Sequence, residues 1–402
     1  MPKFRFQGRG KTGKKSGTIT GPSKRDVIGK LRESGIRVIE IEEVPETLLT
    51  KEITIGNPVK LQDFVIFMRQ FSTLLKAGVP VVDSTRILSG QTESKTLRRV
   101  LGDIEADLRE GNPLSTAAAK HKRIFPTMFI SMVRAGEASG SLDETFERLA
   151  VHYEKQHRTR QKIVSALAYP ITVGVIAVLV VMFLLVAVVP TFVDMFAGFG
   201  AELPAITQFV LNASAFMQKM WWLIILMAFA LYGGFLVLKT EKKSKYYLDY
   251  ISLRMPIFGK MLQKAALARM TRTLSSLFSS AVPILQALTI VEDVVGNEVI
   301  RKVIRESRDS LERGQSLTEP MKRHWAFPPL VTQMISIGEE TGSLDEMLEK
   351  VADFYEAEVE SSTDRLKALI EPLMIVLLAG IVGTIVTSIL VPMFDIFNQI
   401  QM

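Results

Sequence analysis

Carboxylates set among glycines are the residues of this chain whose types and spacing could most readily do chemistry. They stand in Gly136-Glu137-Ala138-Ser139-Gly140-Ser141-Leu142-Asp143-Glu144 and again in Gly338-Glu339-Glu340-Thr341-Gly342-Ser343-Leu344-Asp345-Glu346, displaced by 339 − 137 = 202 positions. Acidic side chains so close together could gather a hard divalent cation through oxygen, meet a basic partner, or hold the junction of two helices. The last reading accounts for most of the residues. Gly140 and Gly342 suit the left-handed stop of one helix, and Ser141 and Ser343 can cap the start of the next. Glu144 and Glu346 then stand where a capping box needs them, and Asp143 and Asp345 are favoured by the positive end of the helix dipole. Glu137 and Glu339 precede the helix stop and have no part in this scheme. A partner contact or a cation stays open for them.

Other chemistry finds little support. The chain has no Cys, which excludes disulfides, thiolate zinc sites and thiol catalysis. His152 and His157 are five apart on a helix and do not share a face as an i,i+4 metal pair does. Gly8-Arg9-Gly10-Lys11-Thr12-Gly13-Lys14-Lys15 approaches the phosphate-binding pattern GxxxxGK[ST] but fails at Lys15, where a hydroxyl belongs. It also runs into Thr18-Ile19-Thr20, a strand pattern, whereas phosphate binding needs a helix N-terminus. A solvated basic turn over Gly8–Gly17 is the expected structure there. No nucleophile elbow or kinase signature is present.

The elements that must position the doubled turn are themselves doubled. The same displacement carries Tyr153 onto Tyr355, Pro170 onto Pro372 and Pro190 onto Pro392. Upstream, Gly78-Val79-Pro80 answers Ala281-Val282-Pro283, Arg69 answers Arg272, and Gly111 with Leu114 answers Gly314 with Leu317, displaced by 283 − 80 = 203. Two copies of a whole domain are implied. In the first copy Leu61, Phe64, Val65, Met68, Phe71 and Leu75 recur at helical spacing. Pro80 opens the next helix, and others follow at 94–110, 113–121, 126–138 and from 141 onward. Residues 1–57 read instead as a small ββαβ module. Its helix is capped at Ser23, stopped at Gly35 and faced by Val27, Ile28 and Leu31.

Each copy leads into an apolar segment. Residues 163–193 and 372–394 are long enough to cross a bilayer, and 220–238 forms a third such segment. Pro170 and Pro372 place a bend at the foot of the first and third. Lys and Arg are absent between Lys162 and Lys219 and after Lys367, so loop 194–219 and tail 395–402 are expected outside the cytoplasm. The first bundle (58–162) and the second (239–371) are expected inside. Hydrophobic residues make up 48% and charged residues 23% of the chain, with a mean hydropathy of +0.22, as suits a protein part membrane and part soluble. The net charge of +7 follows from cytoplasmic Lys and Arg, and no basic segment with interleaved aromatics points to nucleic acid. The basic N-terminus shows no signal peptide pattern. The fold class expected is an all-α membrane protein with two duplicated cytoplasmic bundles, three transmembrane helices and a small N-terminal α+β module.

The doubled bundle, with Ala77-Gly78-Val79-Pro80 or Ala281-Val282-Pro283, then G-E-x-[ST]-G-S-L-D-E, a tyrosine, a proline and a span, resembles the type II secretion F domain. Over residues 1–400 the chain is similar to the inner-membrane platform proteins of type IV pilus and type II secretion machines (the PilC/GspF family). The resemblance implies six-helix cytoplasmic bundles, three spans and no enzymatic activity. It implies coupling of a separate hexameric cytoplasmic ATPase to the growing fibre, with the spans meeting pilin or pseudopilin transmembrane helices in membrane lipid. A homo-oligomer and other inner-membrane assembly proteins are implied as further partners. Some relatives are thought to hold a divalent cation at acidic loop positions, which here directs attention to Asp83 and Glu137. Against a metal, Ser141 supplies only a hydroxyl and Gln286 stands opposite Asp83 in the second copy. Glu137, Glu339, Asp143 and Asp345 are the candidates for partner contact, and Pro170 and Pro372 for a hinge. The location implied is the cytoplasmic membrane, multi-pass, N-terminus inside and C-terminus outside. A membrane transporter or a membrane-tethered regulatory protein are the competing readings. Uncharged spans disfavour the first. Pilus, secretion and competence-pseudopilus systems are not distinguished.

Overall fold

The computed structural model describes residues 3–10, 13–20, 24–33, 35–43, 58–192, 204–256 and 258–400. It divides into two compact units, Met1–Pro58 and Val59–Met402. In the smaller unit β1 (Lys3–Gly10), β2 (Gly13–Thr20) and β3 (Arg37–Glu43) form an antiparallel sheet of order β2-β1-β3, with α1 (Lys24–Glu33) joining β2 to β3 in sequence. Phe4, Phe6 and Ile41 bury against Val27 and Leu31 of the helix, and Gly35 leaves the helix at φ 71° as expected of its stop. The hairpin corrects one expectation. Pairing continues from Lys3↔Thr20 to Gly10↔Gly13, so the glycine-rich basic stretch is mostly strand. Gly8 pairs on both sides of β1, and a Cβ there would lie 2.8 Å from the Arg37 carbonyl oxygen. Glycine therefore serves close strand packing there, and the segment has no helix N-terminus to offer a phosphate.

The larger unit opens with the first copy: α2 (Leu61–Lys76), α3 (Val81–Gln91), α4 (Lys95–Arg109), α5 (Leu114–Ala119), α6 (Thr127–Ser139) and α7 (Leu142–Phe183). Its core is aromatic. Phe64 meets Tyr153 edge-on with ring centres 4.9 Å apart, and Phe71 stacks on Phe146 at 4.2 Å. The second copy follows α8 (Ala205–Thr240) and α9 (Lys242–Arg254). It comprises α10 (Phe258–Phe278), α11 (Ile284–Val294), α12 (Glu298–Glu312), α13 (Glu319–Lys322), α14 (Pro329–Thr341) and α15 (Leu344–Ile400). One hydrophobic cluster contains buried residues of both copies, from Phe64 and Met68 to Ile335 and Tyr355. The copies are thus docked, not strung apart.

Both copies end in rods. Helix α7 continues through a π-helical turn at Leu184–Val188, and residues Leu142–Phe192 and Leu344–Pro392 are long and apolar enough to cross a membrane. Pro170 and Pro372 both lie inside continuous helix. The expected loop 194–219 is helical from Ala205 onward, because α8 begins there and runs through non-helical Met220 to Thr240. Its first half packs Val210 against Leu185, Val189 and Ile385. Thr207 donates to the Ser388 carbonyl and Ser214 to that of Leu185. In the i→i+5 pattern of this turn the donor for the Leu185 carbonyl falls at Pro190, which has no N–H, and Ser214 supplies one instead. Thr207 and Ser214 thus bond this polar stretch into the packed face.

Candidate functional site

The doubled turn resolves into two close helix junctions. At the first, Gly140 adopts φ 72°, and the N–H groups of Gly140 and Ser141 both return to the Gly136 carbonyl. Gly342 adopts the same left-handed conformation at φ 75°. Gly136 is needed for a different reason. A Cβ there would land inside the Thr145 side chain, and one on Gly338 would lie 2.9 Å from the Leu344 Cα. The expected capping box does not form. Ser141 stands at φ −110° and ψ 49°, away from the extended backbone that aims a cap at the first turn, and its hydroxyl pairs with that of Ser139 at 2.7 Å. Ser343 pairs in the same way with Thr341 at 2.6 Å.

Glu137 and Glu339 acquire definite partners. Glu137 Oε1 accepts the N–H of Ser115 at the start of α5, at 3.2 Å. Glu339 accepts the Leu317 N–H at 2.9 Å and the Ser316 hydroxyl at 2.7 Å. Both carboxylates therefore satisfy backbone donors just ahead of or within a short helix that has no strong cap of its own. Asp143, Glu144, Asp345 and Glu346 occupy the first turns of the rods and are exposed. Asp83 is drawn instead to Arg86, at 2.9 Å. Asp83 and Glu137 thus offer two carboxylates already committed to different partners. Among the described residues no group of three or more Asp, Glu or His side chains converges as metal ligands would.

A second constellation escaped the sequence reading. Arg69 grips Glu154 with two bonds of 2.7 Å, and Arg272 grips Glu356 at 2.8 and 2.9 Å. These forks occupy equivalent places in the two copies, and both arginines are charge-paired bidentately. Arg69 also binds Glu147, which holds that carboxyl down to about 2. The second fork lies at the joint between copies. Arg272 bonds Asp353 as well, and Lys155 of α7 reaches the same Asp353 at 2.7 Å. Further along, Lys162 pairs with Glu360. The joint is where the copies differ: Lys155 answers Ala357, His152 answers Phe354, and Asp83 answers Gln286, which donates to Ser131 of α6 at 3.3 Å. Searching for charge pairs retained at both displacements finds the forks; nothing in one sequence marks the joint.

His152 is buried in that joint. Its Nδ1 lies 3.2 Å from the Ser276 hydroxyl, which donates to the Arg272 carbonyl, so Nδ1 carries the proton and donates. Burial, aided by the Arg272 charge, pushes its pKa down to about 3. Unfolding restores an ordinary histidine, so the unfolded chain binds more protons between pH 6.5 and 3, and stability falls as pH falls through that window. The full chain in detergent should lose about 2 kcal/mol between pH 7 and pH 5 from this group alone. His152→Gln should flatten that part of the profile. An unchanged slope would place the titrating group elsewhere.

The family profile described as Type II secretion system (T2SS), protein F, matches residues 67–190 and again 270–392, one match on each copy, and its N-terminal domain profile matches residues 1–42. The chain belongs to the type II secretion system protein F family. Within it, the Type IV pilus assembly protein PilC of Thermus thermophilus is 38% identical over 100% of both chains. The Type IV pilus assembly protein TapC of Aeromonas hydrophila is 38% identical over 98% of this chain and 95% of its own. The Type II secretion system protein F of Vibrio cholerae is 33% identical, covering 96% and 95%. The protein F domains take in both arginine forks and both helix junctions, and each match ends at or close to the end of a rod.

Proposed function

We propose that this chain is the inner-membrane platform of a type IV pilus assembly machine. Identities over the whole chain reach 38% to proteins named for pilus assembly, against 33–35% for those named secretion protein F, and this supports the pilus reading over secretion. In this reading two six-helix bundles and the N-terminal module face the cytoplasm. Three helices cross the membrane, the third being 220–238 within α8, with the C-terminus outside. The chain performs no covalent chemistry. It couples a separate hexameric ATPase to insertion of pilin subunits into the fibre, as one subunit of a homo-oligomer that pilin transmembrane helices meet within the bilayer.

The observation that carries the mechanism is the pair of rods. Helices α7 and α15 each begin at an exposed acidic turn and continue without a break into an apolar segment. Lys155 and Lys162 tie α7 to Asp353 and Glu360 of α15. A load on either bundle therefore reaches both membrane helices together. Because Glu137 and Glu339 are spent on backbone donors, Asp143 and Asp345 are the acids left to meet a basic ATPase surface. Asp143→Lys with Asp345→Lys should reduce co-purification of the ATPase with the full chain at least tenfold while leaving its melting temperature in place. Undiminished capture would remove these acids from the contact.

Pro170 and Pro372 serve as flex points, since each deletes one backbone donor inside its rod. Pro170→Ala with Pro372→Ala should stiffen both rods and cut fibre assembly in cells, with the protein inserted at normal level. Normal piliation by that double variant would count against flexing there.

A further inference from the structure

Helix α9 turns its apolar side outward. Tyr247, Ile251 and Met255 recur at i, i+4 and i+8, and Phe258 and Leu262 carry the stripe onto the first turns of α10, all five between 41% and 66% exposed. The opposite side holds the fold. Leu253 is buried, Lys245 reaches Glu298 at 2.8 Å, and Asp249 accepts the Glu298 N–H at 2.8 Å. A helix on a water-facing surface has the reverse polarity.

The height of this stripe follows from its neighbours. Helix α10 runs antiparallel to α15, since Lys264 bonds Glu358 and Ser362 while Ser275 bonds the Asp345 carbonyl. At 1.5 Å per residue, Phe258 lies about 9 Å nearer the apolar part of α15 than Lys264 does, a similar distance short of Pro372. The other end of α9 follows α8 with one intervening residue. With α8 read as the third span, both ends of α9 therefore stand at the foot of the apolar helices, and α9 lies along that level. The corner into α10 is tight: a Cβ on Gly259 would land on the Leu253 carbonyl. Beside it Tyr250 meets Trp325 edge-on, and the Arg254 guanidinium sits 4.4 Å from the Trp325 ring centre. Such rings favour the membrane–water boundary.

We propose that α9 and the first turns of α10 form an interfacial foot, with Tyr247, Ile251, Met255, Phe258 and Leu262 seated in the headgroup region of the cytoplasmic leaflet. The α8 end of the foot rests on the three-span reading; the α10 end rests on α15 alone. A chain without cysteine allows single-cysteine spin labels at Ile251→Cys and Met255→Cys, with the full chain in phosphatidylethanolamine–phosphatidylglycerol vesicles. Oxygen should relax both labels several-fold more than a water-soluble nickel chelate does, and Ile337→Cys, on the exposed face of α14, should show the reverse. Chelate access at Ile251 and Met255 equal to that at Ile337 overturns the proposal. So does exclusion of both reagents with dipolar broadening, which would put a second copy on the stripe. A label at Phe229→Cys in α8 separates the two readings: water there rejects the third span, while Met255 still decides the foot.

Discussion

Arg272→Leu should destabilise the full chain by about 3 kcal/mol or more, whereas Arg69→Leu should cost about 1 kcal/mol. The two arginines hold equivalent places and equivalent glutamates, so chemistry alone predicts equal costs. Burial separates them. The Arg272 side chain is 8% exposed against 38% for Arg69. Burial works against the Arg272 charge, but Glu356 and Asp353 outweigh it and raise its pKa. Removing that guanidinium leaves Asp353 and Glu356, one turn apart on α15, to repel each other with Lys155 of α7 as their remaining ion pair. Around Arg69, Lys76 stays 3.2 Å from Glu147 and water reaches the remaining groups. Thermal unfolding in detergent measures both variants, and equal losses would mean that the joint carries no special strain of charge.

Gly136→Val with Gly338→Val should cost about 4–6 kcal/mol in total, because each adds roughly 2–3 kcal/mol of overpacking and the two sites lie in separate copies. At Gly136 the new atoms meet Thr145, whose hydroxyl is held by the Ser141 carbonyl at 2.9 Å and has nowhere to move. At Gly338 they meet backbone of α15. Gly140→Ala is the comparison. It opposes a φ of 72° but meets open space, and should cost only about 1–2 kcal/mol. Since whole domains are stable by about 5–15 kcal/mol, the double valine variant should accumulate poorly. Near-native melting would show that the rods can start elsewhere.

The duplication was legible in sequence because Gly140 and Gly342, Pro170 and Pro372, and the apolar segments repeat at one displacement. The rods were legible because a polar helical stretch after Gly140 and Gly342 runs into a long apolar one, interrupted only by isolated prolines and glycines. The docking of the copies was not. It depends on residues that differ between them, and His152, Lys155 and Gln286 look like drift until each is seen against its partner on the other copy. The π turn leaves no mark in side-chain pattern. The bond made by Glu137 was not legible because its partner, Ser115, lies 22 positions upstream, beyond the reach of local capping rules.

The platform reading is tested most directly by deleting the gene in its host and restoring it with the full chain. Deletion should abolish surface fibres while pilin accumulates in the inner membrane, and the restored chain should return them. Fibres of normal number and length in the deletion strain would contradict the reading.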